Sequence, residues 1–298
     1  MTAYRFCRTD DIGLLVGALN RCWSPCFPAD PPVTPATFKR SIRDLQVWCS
    51  SCMVAFSGPD PVGVLIGAKR PTGTLVHKIA VHPDEQRQGH GRHLLTSLGS
   101  KLAILGPPRL VAEIPETLEP ACGLFSASGY VQETILRDYV LPCEETEVSD
   151  GVRGSGDRDN WFVIPVTVDD LAANDLLGEP DPQICWTRSV ETLTARKDDI
   201  AGLAIASDER IEAYLLHRPC GAPETEPGVE PSMEIVSLRS FVEDDGARLA
   251  HLISLLRARG MTTFRFPKVH PAEISTASLE TLGFRPAAGH LRYAARAQ

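Results

Sequence analysis

Residues 79–95 read Ile-Ala-Val-His-Pro-Asp-Glu-Gln-Arg-Gln-Gly-His-Gly-Arg-His-Leu-Leu, and no other stretch limits the fold as tightly. An apolar strand runs into a polar loop carrying Gln86-x-x-Gly89-x-Gly91, and the loop opens a helix. Such a loop points several backbone N–H groups at one spot, where the helix N-terminus is electropositive. That spot suits a diphosphate. The two glycines let the main chain approach the anion in conformations that a Cβ resists. Two rival phosphate sites are excluded by their spacing. Gly-x-x-x-x-Gly-Lys and Gly-x-Gly-x-x-Gly are both absent, and no early strand–helix pair carries the loop.

The rest of the first half alternates around this motif. A strand is expected over residues 2–8. A helix over about 11–22 carries Ile12, Leu15, Val16 and Leu19 on one face, with Asp10 as its cap. Prolines 25, 28, 31, 32 and 35 interrupt regular structure, and Thr34 or Thr37 opens a second helix toward Leu45. Strands are expected at about 52–57, 62–69 and 74–82, with turns at Gly58-Pro59-Asp60 and Pro71-Thr72-Gly73. The helix after the glycine loop presents Leu94, Leu95, Leu98, Leu102 and Leu105 and stops at Gly106-Pro107-Pro108. A strand from Arg109, a short helix closed by Gly129 and a strand from Val131 to Leu141 complete this half.

Residues 143–160 are rich in Glu, Asp and Gly and read as a linker. The second half then repeats the outline of the first. Strands are expected at 200–206, 211–217 and 233–242, with a long hairpin loop at 218–231. Asp244-Asp245-Gly246 leads a Leu-rich helix, a strand runs over 262–267, and a short helix ends at Gly283-Phe284 before a last strand near 290–294. The landmark glycines lie 40 residues apart in the first half (Gly89, Gly129) and 37 in the second (Gly246, Gly283). An internal duplication accounts for this agreement.

Composition narrows the function classes. The chain has 298 residues, 43% hydrophobic and 23% charged. No run approaches the roughly 18 apolar residues of a membrane span. The N-terminus has no basic-then-apolar leader, so a cytoplasmic location is expected. A net charge of −8 argues against broad nucleic-acid binding, which needs clustered Lys and Arg. Of the nine cysteines, Cys22/Cys26 and Cys49/Cys52 form two close pairs. They are read as small buried residues and free thiols rather than four zinc ligands, because Cys49–Cys52 is expected to enter a strand, whose positions three apart face opposite sides. No metal is expected.

Two marks together resemble a known family. Gln86-x-x-Gly89-x-Gly91 after Ile79-Ala80-Val81, and Leu124-Phe125-Ser126-Ala127-Ser128-Gly129-Tyr130 one helix and one strand later, are similar to the hallmarks of the GNAT N-acetyltransferases. The resemblance implies an α/β (α+β) fold of two tandem domains, each a mixed, mostly antiparallel twisted sheet flanked by helices. Residues 1–142 would be the acyl-CoA-binding catalytic domain, 143–160 the linker and 161–298 a degenerate copy. This organisation is similar to that of tandem acetyltransferases such as mycothiol synthase. It also implies acetyl-CoA as co-substrate and an amine acceptor, a small molecule or a peptide or protein. Residues Gln86, Arg87, Gln88, Gly89, His90, Gly91 and Arg92 would surround the pyrophosphate, with Arg87, His90 or Arg92 adding charge. Ile79, Ala80 and Val81 would run beside the pantetheine arm, and the Val81 N–H would polarise the thioester carbonyl.

For catalysis, His77 is the candidate base, on the same strand face as Ile79 and Val81 if period two holds, and a histidine stands there in the arylalkylamine branch of the family. Glu113 on the neighbouring strand is the second candidate. One position departs from the family pattern. Phe125 stands where many members carry a general-acid tyrosine, and phenylalanine has no proton to give. The second half departs further, since Glu243, Asp244 and Asp245 replace its phosphate loop and would repel a diphosphate. Two activities stay open: direct N-acetyl transfer in a ternary complex, and a non-catalytic acyl-CoA sensor. A monomer and a homodimer are equally open.

Overall fold

The computed structural model describes residues 2–142, 161–178, 181, 183–220, 232–261 and 263–298. In chain order the elements are β1 (Thr2–Phe6), α1 (Ile12–Cys22), α2 (Pro35–Leu45), β2 (Met53–Ser57), β3 (Asp60–Arg70), β4 (Gly73–Val81), α3 (His90–Leu105), β5 (Arg109–Pro115), α4 (Glu119–Ala127), β6 (Val131–Pro142), β7 (Phe162–Val166), α5 (Val168–Ala173), α6 (Val190–Ala195), β8 (Ala201–Ala206), β9 (Ile211–Cys220), β10 (Ser232–Ser240), α7 (Ala247–Arg257), β11 (Thr263–Val269), α8 (Thr276–Thr281) and β12 (Arg285–Arg296). The expected linker, 143–160, and residues 221–231 of the expected hairpin loop lie outside the described residues. So does Thr262, where the eleventh strand was expected to start.

The chain divides into two compact units, residues 1–135 with 290–298, and residues 136–289. In the first unit the strands lie in the order β1-β2-β3-β4-β5-β12. All neighbours are antiparallel except β4 and β5, which pair in parallel only at Thr74–Leu110 and Leu75–Val111. Beyond Leu75 those two strands make no further paired contacts, so the edge of β4 toward Val81 is left open. A bulge sits in the same strand. Val76 faces Gly67 and Lys78 faces Ile66, so His77 is the extra residue. The core beneath α3 and α4 contains Val76, Leu94, Leu95, Leu98, Leu102, Leu110, Ala112, Ile114 and Phe125, with Tyr293 from β12.

Local rules account for the helices. In α1 the periodic residues Leu15, Val16, Ala18, Leu19 and Cys22 are buried. Asp11, not Asp10, stands at its start. Its carboxylate accepts the Arg8 N–H at 2.8 Å and pairs with Arg5 at 2.7 Å rather than capping the helix. These contacts, the Arg8 N–H first, hold the Asp11 carboxyl below its usual range. Thr34 caps α2 in a reciprocal box with Thr37, with Pro35 in the first turn.

The second unit repeats the plan: β7-β8-β9-β10-β11-β6, again with one parallel pair, β10 and β11, joined at residues 232–234 and 263–265. Its core gathers Leu249, Leu252, Ile253 and Leu256 of α7 against Phe264 and Phe266. The bulge recurs as well. Between Ile235 and Ser237 of β10 the extra residue is Val236. Four glycines mark the duplication geometrically. Gly89 and Gly246 precede α3 and α7, Gly129 and Gly283 follow α4 and α8, and all four have φ between 81° and 88°.

The expected boundary at residue 142 does not separate the units. Residues 136–142 of β6 pair with β11 in the second unit, and residues 290–296 of β12 pair with β5 in the first. Each half of the sequence therefore lends its last strand to the other half's unit. Both strands follow equivalent Gly-aromatic turns and have the same pattern, so local sequence does not say which sheet edge each completes. β7, α5 and α6 were not expected. Each spans only five or six residues, too few to display a strand or helix period. Cys49–Ser51 forms a 3₁₀ turn rather than the start of a strand, and Cys49 and Cys52 are buried thiols.

Candidate active site

The glycine loop folds as a cradle. After β4, a single 3₁₀ turn at Pro83–Glu85 reverses the chain. Arg87 then takes φ 65° and Gly89 φ 88°, and α3 starts at His90. Among the described residues, none accepts a hydrogen bond from the backbone N–H of any residue from Arg87 to Arg92. The first intrahelical bond is His93 N–H to Gly89 carbonyl at 3.0 Å. Six donors at the positive end of a 16-residue helix therefore await an acceptor, which is the structural requirement for an anion site. Gly91 serves packing as well. A Cβ there would stand 3.0 Å from Leu124 Cδ2, so its absence lets α3 lie close against α4.

Side chains brace the loop from outside. Gln86 Nε2 donates to the Val81 carbonyl at 3.1 Å, and Gln88 Nε2 donates to Glu85 at 3.1 Å. Arg87 and Arg92 are exposed on either side of Gly89. His90 is placed differently from Arg87 and Arg92. It is buried, with Nδ1 2.7 Å from the Tyr4 hydroxyl. Its ring anchors the helix start to β1, and Nε2 stands 4.0 Å from the Glu85 carboxylate. Nothing local could reveal this, since Tyr4 lies 86 residues away.

On β4, His82 N–H donates to the Val62 carbonyl at 2.9 Å. Alternation then turns the Val81 N–H to the other side, toward the open edge facing β5. This is the orientation that polarising a carbonyl lying in that gap requires. His77 is half-buried, but it is the bulged residue. Period two fails there: Val76 and Ile79, three apart, both pack into the core under α3, while Lys78 lies over Trp23. Glu113 is half-buried on β5, opposite Arg292 of β12, between the core residues Ala112 and Ile114. It therefore faces away from that core.

Phe125 is buried in α4, edge-on to Tyr130 at 4.9 Å and 6.2 Å from the Tyr293 ring. Burial pushes the Tyr130 phenol well above its ordinary range. The segment after α1 borders the same strand. Trp23 stacks on Phe27 at 4.2 Å and donates to Asp30 at 2.8 Å, and Lys78 Nζ stands 4.0 Å from the Trp23 ring. Burial lowers the Lys78 pKa. Lys78 and Asp30 could not be singled out from the sequence, because an alternating strand gives no sign of which face meets a proline-rich loop.

The corresponding corner of the second unit is already filled. Asp244 accepts the N–H groups of Gly246 at 3.1 Å and Arg248 at 3.0 Å, and its carboxylate also pairs with Arg248. An internal anion thus occupies the start of α7. The bulged position holds buried Val236 where the first unit has His77. Both features mark this copy as degenerate.

The profile of the Acetyltransferase (GNAT) family matches residues 16–130, all within the first unit and including the cradle and Phe125. Residues 16–130 carry a GNAT acetyltransferase domain, which makes the chain an acyltransferase, and the fold of the two units is a tandem GNAT fold. Among solved structures it is similar over its full length to a tandem GNAT protein from the clavulanic acid biosynthesis pathway, at 17% identity, TM-score 0.66 and 99% of that chain. A GCN5-related N-acetyltransferase from Sphaerobacter thermophilus is similar over the full length at 12% identity, TM-score 0.63 and 96% of that chain. A glucosamine N-acetyltransferase region of a fungal multi-domain GH3 β-N-acetylglucosaminidase aligns over 99% of this chain and 38% of its own, at 15% identity and TM-score 0.72. No curated protein matches the chain significantly. Among the described residues no group of three or more His, Cys, Asp or Glu is placed to hold a metal, and no helix is long and apolar enough to cross a membrane.

Proposed function

We propose that the chain is an acetyl-CoA-dependent N-acetyltransferase acting on a primary amine by direct attack in a ternary complex. The observation that carries this reading is the row of unengaged N–H groups from Arg87 to Arg92 at the start of α3. Unengaged donors at a helix N-terminus suit a diphosphate, and exposed Arg87 and Arg92 beside them would add charge. The open edge of β4 offers Ile79, Ala80 and Val81 to an extended arm, and the Val81 N–H to a thioester carbonyl. Cradle and edge together would hold the thioester in place, and positioning is a large share of rate acceleration in acyl transfer. His77 is the proposed base that takes the proton from the attacking amine, with Glu113 as the second candidate. The acceptor would be a small-molecule amine or a peptide or protein amine.

Phe125 favours a second reading, a binder of acyl-CoA without turnover, because the aromatic ring in α4 has no hydroxyl. One variant separates the two. For an enzyme, His77→Ala should leave coenzyme A affinity within about twofold and lower kcat by about 10²-fold or more. Calorimetry and thiol release across an amine panel measure both. Turnover by neither protein, with tight acetyl-CoA binding by both, favours the binder.

A further inference from the structure

In the second unit Asp244 fills the start of α7, yet a half-open recess of about 480 Å³ lies elsewhere in that unit. The lining residues, from Asp138 to Ala288, all belong to that unit. Phe264 and Phe266 pack under α7, so alternation along β11 sends Thr263, Arg265 and Pro267 to the opposite face, where the cavity lies. Tyr139 and Leu141 also enter the core, which leaves Asp138 and Val140 of β6 facing the cavity. Ala287 and Ala288 of β12 close the wall with small side chains.

The charges in the lining are unequally committed. Glu234 is engaged by Arg218 through both oxygens, at 3.0 and 2.7 Å. Asp138 accepts the Lys268 N–H at 2.8 Å. Burial pushes the Cys220 thiol up, so it stays neutral. The Arg265 guanidinium makes no ion pair or hydrogen bond with any described residue. Among the described residues both acids have partners and the arginine has none. Arg265 is exposed at the edge of this recess beside Val140, Pro267, Ala287 and Ala288, and its planar fork of N–H donors matches a carboxylate in geometry and charge. The volume falls in the range of metabolite-sized sites, about 300–1,000 Å³.

We infer that the second unit binds a ligand of its own, a small monocarboxylic acid with an apolar body, seated on Arg265 and packed against Val140, Pro267, Ala287 and Ala288. The inference does not depend on the transfer chemistry proposed for the first unit.

Benzoate is the probe, titrated into the full chain by calorimetry and ligand-observed NMR, with benzylamine and inorganic phosphate as contrasts. Benzoate should bind saturably at one site that coenzyme A does not displace. Arg265→Gln should weaken it by about tenfold or more, Arg265→Lys less, and Ala288→Phe should abolish it by filling the recess. Coenzyme A affinity in each variant reports that the chain is folded. The inference fails if benzoate and longer monocarboxylates show no binding at millimolar concentration. It fails equally if Arg265→Gln binds as tightly as the parent, if coenzyme A displaces the probe, or if benzylamine or phosphate binds in its place.

Discussion

Gly89 and Gly91 are required for different reasons, and substitution separates them. Gly89 has φ 88° and nothing within 4 Å of a built Cβ, so Gly89→Ala meets only backbone strain, about 1–2 kcal/mol. The loop can relieve that strain only by turning its N–H groups away. Coenzyme A affinity should therefore fall about tenfold, while the urea midpoint moves little. Gly91 lies inside α3 against Leu124. In Gly91→Ala, overpacking of about 1–3 kcal/mol is offset by about 1 kcal/mol of helix propensity. The net loss, about 1 kcal/mol, should appear in urea denaturation first. The same scale explains His90. Its motif position suggests a phosphate contact, but its side chain is buried against the Tyr4 hydroxyl.

At the level of elements, the bulge in β4 decides what the site can present. A regular strand would alternate through His77. The inserted residue shifts the pattern, so Val76 and Ile79 share the core and His77 stands where the two registers meet. In the second unit the same device places Val236. β9 carries a pH-sensitive residue, buried His217, whose pKa is lowered by desolvation first and by Arg259 second. Its neutral form is favoured in the fold, so below the ordinary histidine value of 6.5 the unfolded chain takes up the proton more readily. That contribution to stability is complete above pH 6.5 and is lost as pH falls through the folded value. Urea titrations at pH 7, 6 and 5 should show stability falling for the parent. His217→Gln, which cannot titrate, should show a shallower fall.

At the scale of the whole molecule, the exchange of β6 and β12 makes each half depend on the other. The first unit buries Tyr293 and pairs β5 with residues 290–296. A chain ending at residue 284 would expose the β5 edge and uncover that core. It should lose coenzyme A binding although cradle, β4 and α3 are intact in sequence, and it should aggregate through the bared edge. Fragments 1–150 and 151–298 should be insoluble alone and co-purify when co-expressed, because each carries the strand that completes the other's unit. Independent folding of fragment 1–150 with full coenzyme A affinity would contradict this account.

Much of this was legible in advance where the physics is local. A glycine that needs positive φ, a helix of periodic leucines, a capped start at Thr34 and a loop of N–H donors are all set by residues within a turn or two, so the cradle and the duplicated strand–helix order could be read from the chain. Where a contact spans the sequence, local pattern is silent. The register shift at His77, the Tyr4–His90 anchor, the Asp244 carboxylate lying over its own helix and the destination of the last strand depend on which edge or face a segment meets. The amino-acid order therefore determined the motif and its chemistry. Tertiary packing decided which side chains reach it and which strand closes each sheet, because strand pairing satisfies the same backbone hydrogen bonds on either edge and only long-range burial discriminates between them.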